Sequence, residues 1–423
     1  MKVRTTSINH TPNNWEITKT GKICTSIVPG RNKPKEFNGD IPWITITDLE
    51  NQFWISESKA GLAVSREELQ KAKGKTVPKG TVIMTCVGNF GIAGIANKEL
   101  VINQQLHGFI CSQKVLPEYL CHVLRSKEKE MLSLAGRTTV LYLNRSKCES
   151  INVLLPPIEE QRKIAEILGT WDSAITLTEK LIAAKLKRKK YLIKQLIIKN
   201  FKSLEFENTF PTDWTLVSIG KVIKLSQYGL SIASGEQGEV PILGMQHLYE
   251  GKVLLNNLSR VSISQEDTKK YCLQRGDILL NRTNSYDLVG KVAIYDSDQT
   301  TVFASYLVRF QFDTSKVLPE FVNYFLNSFI GQQRLKKLAT KGVSQANINP
   351  TVFREQFLIP IPPLSEQKTI VDILRKVDTE IEISKKYYHC LETQKRGLMQ
   401  KLLTGEWRVK IEKAGQQLTE LKT

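Results

Sequence analysis

The segment PPIEEQRKIAEILGTWDSAI at 156–175 returns as PPLSEQKTIVDILRKVDTEI at 362–381, with nine of twenty positions identical, no gap and an offset of 206 residues. A repeat of this period constrains the fold more than any local signal, because both copies must find the same solution. It runs through the whole chain. NNWEITKTGKI (13–23) matches TDWTLVSIGKV (212–222), aligning Trp15 with Trp214 and Gly21 with Gly220. IPWITITDL (41–49) matches VPILGMQHL (240–248), VPKGTVIM (77–84) matches LQRGDILL (273–280), and VLPEYL (115–120) matches VLPEFV (317–322). Gly136 of AGRTTVLYLN aligns with Gly342 of TKGVSQANIN. The order is kept throughout, so the chain is a duplicated unit of about 200 residues.

Each unit opens with a mixed region. TVIMTCV, GDILLN, KVAIYD and YLVRFQF are short β-rich runs bounded by Gly, Asn and Asp, which predicts half-buried strands. PEYLCHVLRSKEKEMLSLA and PEFVNYFLNSFIGQQRLKKLA predict amphipathic helices that begin at Pro. The result is an α+β domain in each half.

A long helix follows each domain. Pro-Pro suits a helix entrance, and Glu160 and Gln161, or Ser365, Glu366 and Gln367, suit the first turn. The apolar spacing predicts a coiled-coil seam: Ile164, Leu168, Trp171, Ile175, Ile182, Leu192 and Leu196 in the first helix, and Ile370, Leu374, Val377, Ile381, Tyr388, Leu391, Leu398 and Leu402 in the second. Thr178, Lys185, Lys189, Ser384 and Lys395 fill the gaps in the two series. About 40 residues at 1.5 Å each give roughly 60 Å of rod. Helix one leaves the first domain toward the second, so helix two must run back along it. The expected pair is antiparallel, in a dumbbell with an internal pseudo-two-fold repeat. Lys185 and Lys189, within KLKRKK (185–190), are expected to weaken that seam locally, and the run could touch phosphates, an acidic partner or only solvent.

The 423-residue chain carries a formal net charge of +18, which points to a polyanion, nucleic acid foremost. No apolar run reaches the roughly 20 residues of a bilayer span, and MKVRTTSINHTPNNW has no signal-like apolar core, so the expectation is a cytoplasmic protein without a membrane partner. Seven cysteines without a CxxC, and five histidines without metal-ligand spacing, predict neither a disulfide framework nor a metal site. LLPPIEE and PIPPLSE lack the polar residue before Pro-Pro and the aromatic after it that an adenine methyltransferase loop requires, and no phosphate-binding glycine loop occurs. A nuclease built on Asp48, Glu57 and Lys59 would lose Glu57 in the repeat, where Asn256 stands. The expectation is a non-catalytic chain.

The order domain, PPxxEQxxI helix, domain, PPxxEQxxI helix resembles the specificity subunit of type I restriction–modification systems. LMQKLLTGEWRV (398–409) resembles that family's C-terminal stretch, and GDILLNRTNSYDLVGKVAIYD (276–296) and GVSQANINPTVFREQFLIPIPPLSEQ (342–367) resemble its target recognition domains. In the first domain CVGNFGIAGIANKE and GRTTVLYLN stand where the second has RTNSYDLVGKVAIYD and GVSQANIN. The resemblance implies two α+β target recognition domains, 1–155 and 206–361, separated by an antiparallel two-helix coiled coil of 156–205 and 362–409, with a polar tail at 410–423. It also implies that each domain reads half of a bipartite, asymmetric site in double-stranded DNA. Two methyltransferase subunits carrying S-adenosylmethionine would dock on the helices, joined by restriction subunits using ATP and Mg. This chain itself would hold no cofactor. An orphan DNA-binding protein without a methyltransferase partner is the alternative, and a protein-only scaffold a third class.

Arg and Asn read guanine and adenine well, which singles out Arg282, Thr283 and Asn284 after a predicted strand; the competing reading is a plain turn with Arg282 on a phosphate. Lys341, Ser344, Gln345 and Asn347 form a second candidate group, or else a capping loop, and Tyr228, Ser231, Gln246 and His247 a weaker third. In the first domain Arg31, Lys33 and Lys35 suit phosphate contact or a solvated loop, and Asn89, Gln104, Gln105, Arg137, Thr138 and Thr139 align near the second domain's candidates. Backbone contacts of this kind position a protein without specifying sequence.

Overall fold

The computed structural model describes residues 12–30, 32–136, 141–198, 213–232, 238–342 and 345–411. The candidates Arg31, Arg137, Thr138, Thr139 and Ser344, and most of the 410–423 tail, lie outside them. The chain divides into two compact units, Met1–Lys180 with Lys385–Thr423, and Leu181–Ser384. Each holds one α+β domain and a part of both long helices.

The two domains repeat one topology. In the first unit a five-stranded sheet has the order Cys24–Ile27, Leu106–Cys111, Val82–Thr85, Ala93–Ala96, Trp54–Ile55. In the second the order is Ile223–Tyr228, Leu307–Phe312, Ile278–Asn281, Val292–Ile294, Gly251–Val253, Leu248–Tyr249. All neighbours are antiparallel except Trp54–Ile55 and Gly251–Val253, which run parallel to Ala93–Ala96 and Val292–Ile294. A second sheet in each unit centres on Ile41–Ile44 or Val240–Leu243. The strand pairs Glu16–Lys19 with Asn152–Leu155, and Thr215–Ser218 with Leu358–Ile361, tie the start of each domain to the residues just before Pro-Pro. Each predicted helix after Pro is two: Pro117–Ser126 and Glu128–Ala135, then Pro319–Leu326 and Phe329–Lys337. The second break has a local cause, because Ser328 accepts a hydrogen bond from the Gly331 amide and starts a new helix.

The long helices span Ile158–Ile193 and Leu364–Leu403. Within the first unit Asp172 meets Lys395 at 2.5 Å, and Ile164 and Leu168 share a core with Leu402 and Leu403, so the segments run antiparallel. Within the second unit Lys189 meets Asp378 at 2.6 Å, Lys185 meets Glu380 at 3.1 Å, and Ile193 and Ile197 share a core with Ile370 and Leu374, again antiparallel. Ile164, Leu168, Ile370, Leu374, Val377, Ile381, Leu391 and Leu402 are buried, and Trp171, Ile175, Ile182, Tyr388 and Leu398 half-buried. At the end of the first helix the seam moves from the expected Leu192 and Leu196 to Ile193 and Ile197, beside a wider π-turn over Lys194–Ile198. The second helix stops at Leu403, short of 409. Gly405 takes a left-handed φ of 74°, and the Trp407 amide turns back to the Lys401 carbonyl at 3.1 Å. The seam lysines Lys185 and Lys189, expected to weaken the pairing, are each half-buried against a carboxylate of the facing helix.

The Glu-Gln of each repeat serves as a clamp rather than a cap. Gln161 is fully buried. Its Oε1 accepts from the Leu116 amide at 2.9 Å, and its Nε2 donates to the carbonyls of Lys114 at 2.9 Å and Pro156 at 2.8 Å. Gln367 does the same with Leu318, Lys316 and Pro362. Glu160 and Glu366 accept from the indoles of Trp15 and Trp214 at 3.0 and 2.9 Å. Arg408 adds a bidentate pair to Glu160 at 2.6 and 2.8 Å.

Replacing Gln161 by Ala strands a buried amide N–H and two carbonyls. Denaturant unfolding of the Gln161→Ala chain is expected to show a loss of about 3 kcal/mol, and a loss under about 0.5 kcal/mol would contradict the clamp. The histidines set a pH dependence. Burial holds His107 at about 4, below its ordinary value of 6.5, with Glu149 opposing and Arg145 assisting; burial, Lys395 and Arg125 also push His122 well down. The unfolded chain therefore takes up the His107 proton first as pH falls. Stability should decline below about pH 6.5 and level off near pH 4, by about 3 kcal/mol from His107. His107→Gln should flatten that decline in urea titrations across this range; an unchanged slope would contradict the assignment.

Candidate nucleic-acid interface

In the second unit the sheet strand Ile278–Asn281 runs on into a smaller sheet of order Thr283–Asn284, Ala346–Ile348, Ala339–Lys341. Alternation sets its faces: Ala346 and Ile348 are buried, while Gln345 and Asn347 are exposed. Asn347 stands opposite Thr283 on one side and Thr340 on the other. Thr283 Oγ1 donates to Asn347 Oδ1 at 3.0 Å, and Arg282 Nη1 approaches the same oxygen at 3.5 Å. Arg282 Nε points to the Ser305 carbonyl at 3.4 Å, and its guanidinium lies 5.0 Å from the ring of exposed Tyr228. Lys341 Nζ sits 4.2 Å over the Tyr286 ring, with Lys336 at 5.9 Å.

The fold thus brings Tyr228, Arg282, Thr283 and Asn347 into contact and sets Lys341 two strands away. Ser231 and Gln345 are exposed. Asn284 turns away, its amide nitrogen 3.4 Å from Met245 Sδ and its oxygen taking the Ser285 amide at 2.8 Å. His247 is 5% exposed, and its Nδ1 accepts from the Gly244 amide at 2.9 Å, a turn-closing role. Gln246 is exposed in that same short turn. Sequence reasoning passed over Tyr286 and Tyr306, 40% and 47% exposed beside this sheet. Tyr286 lies two residues after NRTN, which is its sequence signal; Tyr306 has none.

The first unit holds an equivalent frame. In the second, the Arg282 amide donates to the Tyr306 carbonyl at 3.1 Å, and the Ile348 amide to the Arg282 carbonyl at 2.8 Å. In the first, the Cys86 amide donates to Gln105 and the Leu143 amide to Cys86, both at 2.8 Å. Cys86 therefore occupies the place of Arg282, Gln104 and Gln105 those of Ser305 and Tyr306, and Tyr142 that of Asn347. Tyr142 is 48% exposed and bridges to Val87. Exposed Gln104 donates to the Gly30 carbonyl at 3.2 Å, and Gln105 Oε1 accepts from Asn103 at 3.1 Å. Exposed Asn89 lies in the loop after Val87, its carbonyl taking the Thr85 hydroxyl at 2.6 Å. Lys33 and Lys35 are exposed, Lys33 Nζ 5.8 Å from the Phe37 ring and the Lys35 amide on Glu68 at 2.6 Å.

The nuclease constellation of Asp48, Glu57 and Lys59 is not assembled. Asp48, 2% exposed, is spent on the Thr45 amide, the Thr45 hydroxyl and the Lys59 amide, while Glu57 faces Lys98 in solvent. Among the described residues no group of His, Cys, Asp and Glu is arranged to hold a metal ion, and no helix is long and apolar enough to cross a membrane.

Comparison with known proteins agrees with this doubled frame. The type I restriction modification DNA specificity domain matches twice, over residues 12–188 and 211–393. The chain is 26% identical over 416 residues to the type I restriction enzyme MjaVIII specificity subunit of Methanocaldococcus jannaschii, covering 94% of both chains. It is 22% identical over 382 residues to the EcoKI specificity subunit of Escherichia coli K12, covering 85% of this chain and 81% of that one. In fold it is similar to the S subunit of a type I restriction–modification system from M. genitalium, with a TM-score of 0.57 at 14% identity, covering 94% of this chain and 98% of the other. A chain from a structure of type I assembly and conformational transition gives 0.56 at 16% identity, covering 94% and 100%. With a specificity domain matched in each half and two equivalent backbone bonds repeated in each frame, the chain belongs to the specificity-subunit family of type I restriction–modification systems.

Proposed function

We propose that this chain supplies DNA sequence specificity to a type I complex, each unit reading one half of a bipartite, asymmetric site. The observation that carries the reading is the pair of equivalent backbone frames with unlike outward side chains. Arg282, Thr283 and exposed Asn347 stand on one; on the other Cys86 is buried, Val87 half-buried and Tyr142 exposed, flanked by Ser305 and Tyr306 or by Gln104 and Gln105. Two copies of one reader with different surfaces suit two different half-sites. The net charge of +18 suits a DNA partner. Lys341, Lys33 and Lys35 serve the phosphates, which fix register without specifying bases.

Specificity subunits of this family are generally non-catalytic, and the chemistry here belongs to the partners. Two methyltransferase subunits bring S-adenosylmethionine, and restriction subunits joining them use ATP and Mg. Leu177 and Ile383, 65% and 61% exposed, occupy the same position in the two helix repeats. Equivalent apolar positions in each copy suit two identical docking partners. The complex would act in the cytoplasm, on host DNA.

Single-molecule sequencing of host DNA, with and without the chain and with its methyltransferase partner present throughout, tests the reading. The expected result is an adenine-methylated motif of two halves with an unread gap, lost on deletion. Exchanging residues 1–155 for those of another specificity subunit should change one half alone. An unchanged methylation pattern beside an active partner would reject the reading in favour of an orphan DNA-binding protein.

A further inference from the structure

The contact between Arg282 and Asn347 limits which base the second unit can read. A guanidinium carries donors only, so the amide atom of Asn347 that faces Arg282 Nη1 and takes the Thr283 hydroxyl is its oxygen. The outward polar atom of Asn347 is then Nδ2, a donor. Asparagine recognises adenine with one donor and one acceptor together, toward N7 and the N6 amino group. With its oxygen spent on two neighbours, Asn347 lacks the acceptor. Arg282 is held in place by the Ser305 carbonyl, Asn347 and the Tyr228 ring, and among the described residues its Nη2 donates to nothing. The face therefore offers donors side by side, on a pre-oriented side chain that has little rotamer freedom left to lose.

In the major groove, guanine presents two acceptors, N7 and O6. Adenine presents one beside a donor, and cytosine a donor. We infer that the unit Leu181–Ser384 reads a guanine through Arg282, with Asn347 as the residue that holds the guanidinium and adds a donor of its own. The inference rests on the DNA-reading function proposed above and narrows it to one base and one half-site. The first unit has Cys86 and Tyr142 at these positions, so its half-site is read by other means.

The test uses the full chain assembled with its methyltransferase subunits. Host DNA is sequenced for methylated adenine with wild-type chain, Arg282→Ala and Asn347→Ala. The half of the motif that changes when residues 206–361 are exchanged should contain a guanine. Arg282→Ala should relax discrimination at that guanine about 10- to 100-fold and leave the other half unaltered. A second arm needs no variant to fold. Duplexes carrying 7-deazaguanine, which lacks the N7 acceptor, at each guanine of that half in turn should bind the wild-type complex about 10-fold more weakly at one of them. A half-site without guanine, or binding indifferent to every 7-deaza substitution, overturns the inference while the DNA-reading function stands. The loss of any chain-dependent motif would instead defeat that function, and this inference with it.

Discussion

A single buried amide in each repeat joins domain to helix, and everything else is arranged around it. Gln161 and Gln367 are fully buried, with both amide hydrogens donated and the oxygen accepting one backbone N–H. Only a neutral amide fits. The site asks for an acceptor toward one backbone N–H and donors toward two carbonyls, and a carboxylate would bury charge against carbonyl oxygens. The preceding Glu holds the indole of a Trp from the domain's first strand region. The antiparallel strand pair ahead of Pro-Pro supplies a third attachment. Each domain is therefore fixed to the start of its own helix by polar contacts from three parts of the chain, which gives the helix entrance a defined direction.

The helix seam is held by a different device, and it also repeats. Asp172 with Lys395 and Asp378 with Lys189 are the same pair, since both partners shift by the 206-residue period of the duplication. An ion pair in a largely apolar seam adds little net stability, but it penalises every register that leaves one charge unpaired. The surroundings have since diverged. Tyr324 donates its hydroxyl to Asp378 at 2.8 Å. At the equivalent position His122 lies 3.8 Å from Asp172, and neither of its ring nitrogens has a hydrogen-bond partner in the described structure. The first unit compensates in part through Arg125, 3.5 Å from the same carboxylate.

What the sequence made legible was whatever is periodic. The duplication, the two long helices and the strand runs follow from spacing, because spacing decides which side chains share a face, and the antiparallel pairing follows from the order of the repeats. What stayed hidden depends on partners distant in sequence. The Glu-Gln pair reads as a helix cap until Lys114 and Leu116 are seen beside Gln161. Lys185 and Lys189 read as flaws in the seam until Glu380 and Asp378 are seen opposite. Asn284 and Asn347 are equally plausible readers on paper, yet a one-residue difference in strand register turns the first toward Met245 and the second outward. His247 is a weaker DNA-contact candidate in the sequence, and its acceptance of the Gly244 amide follows only from a turn three residues long.

The two frames also show how one backbone arrangement can carry unlike side chains. The bonds that build them run between backbone atoms: Arg282 to Tyr306 and Ile348 in one unit, Cys86 to Gln105 and Leu143 in the other. Backbone bonds are indifferent to the side chain they carry. The inward residues of the closing strand, Ala346 and Ile348 or Leu143, stay apolar and buried, while the outward one is Asn347 in one unit and Tyr142 in the other. Substitution on the outward face thus removes little core packing, so exposed residues there can change at small cost to stability. Arg282 is the exception within that face. Its guanidinium contacts Tyr228, Ser305 and Asn347 together, so replacing it disturbs several side chains at once, whereas among the described residues the Tyr142 side chain makes no hydrogen bond.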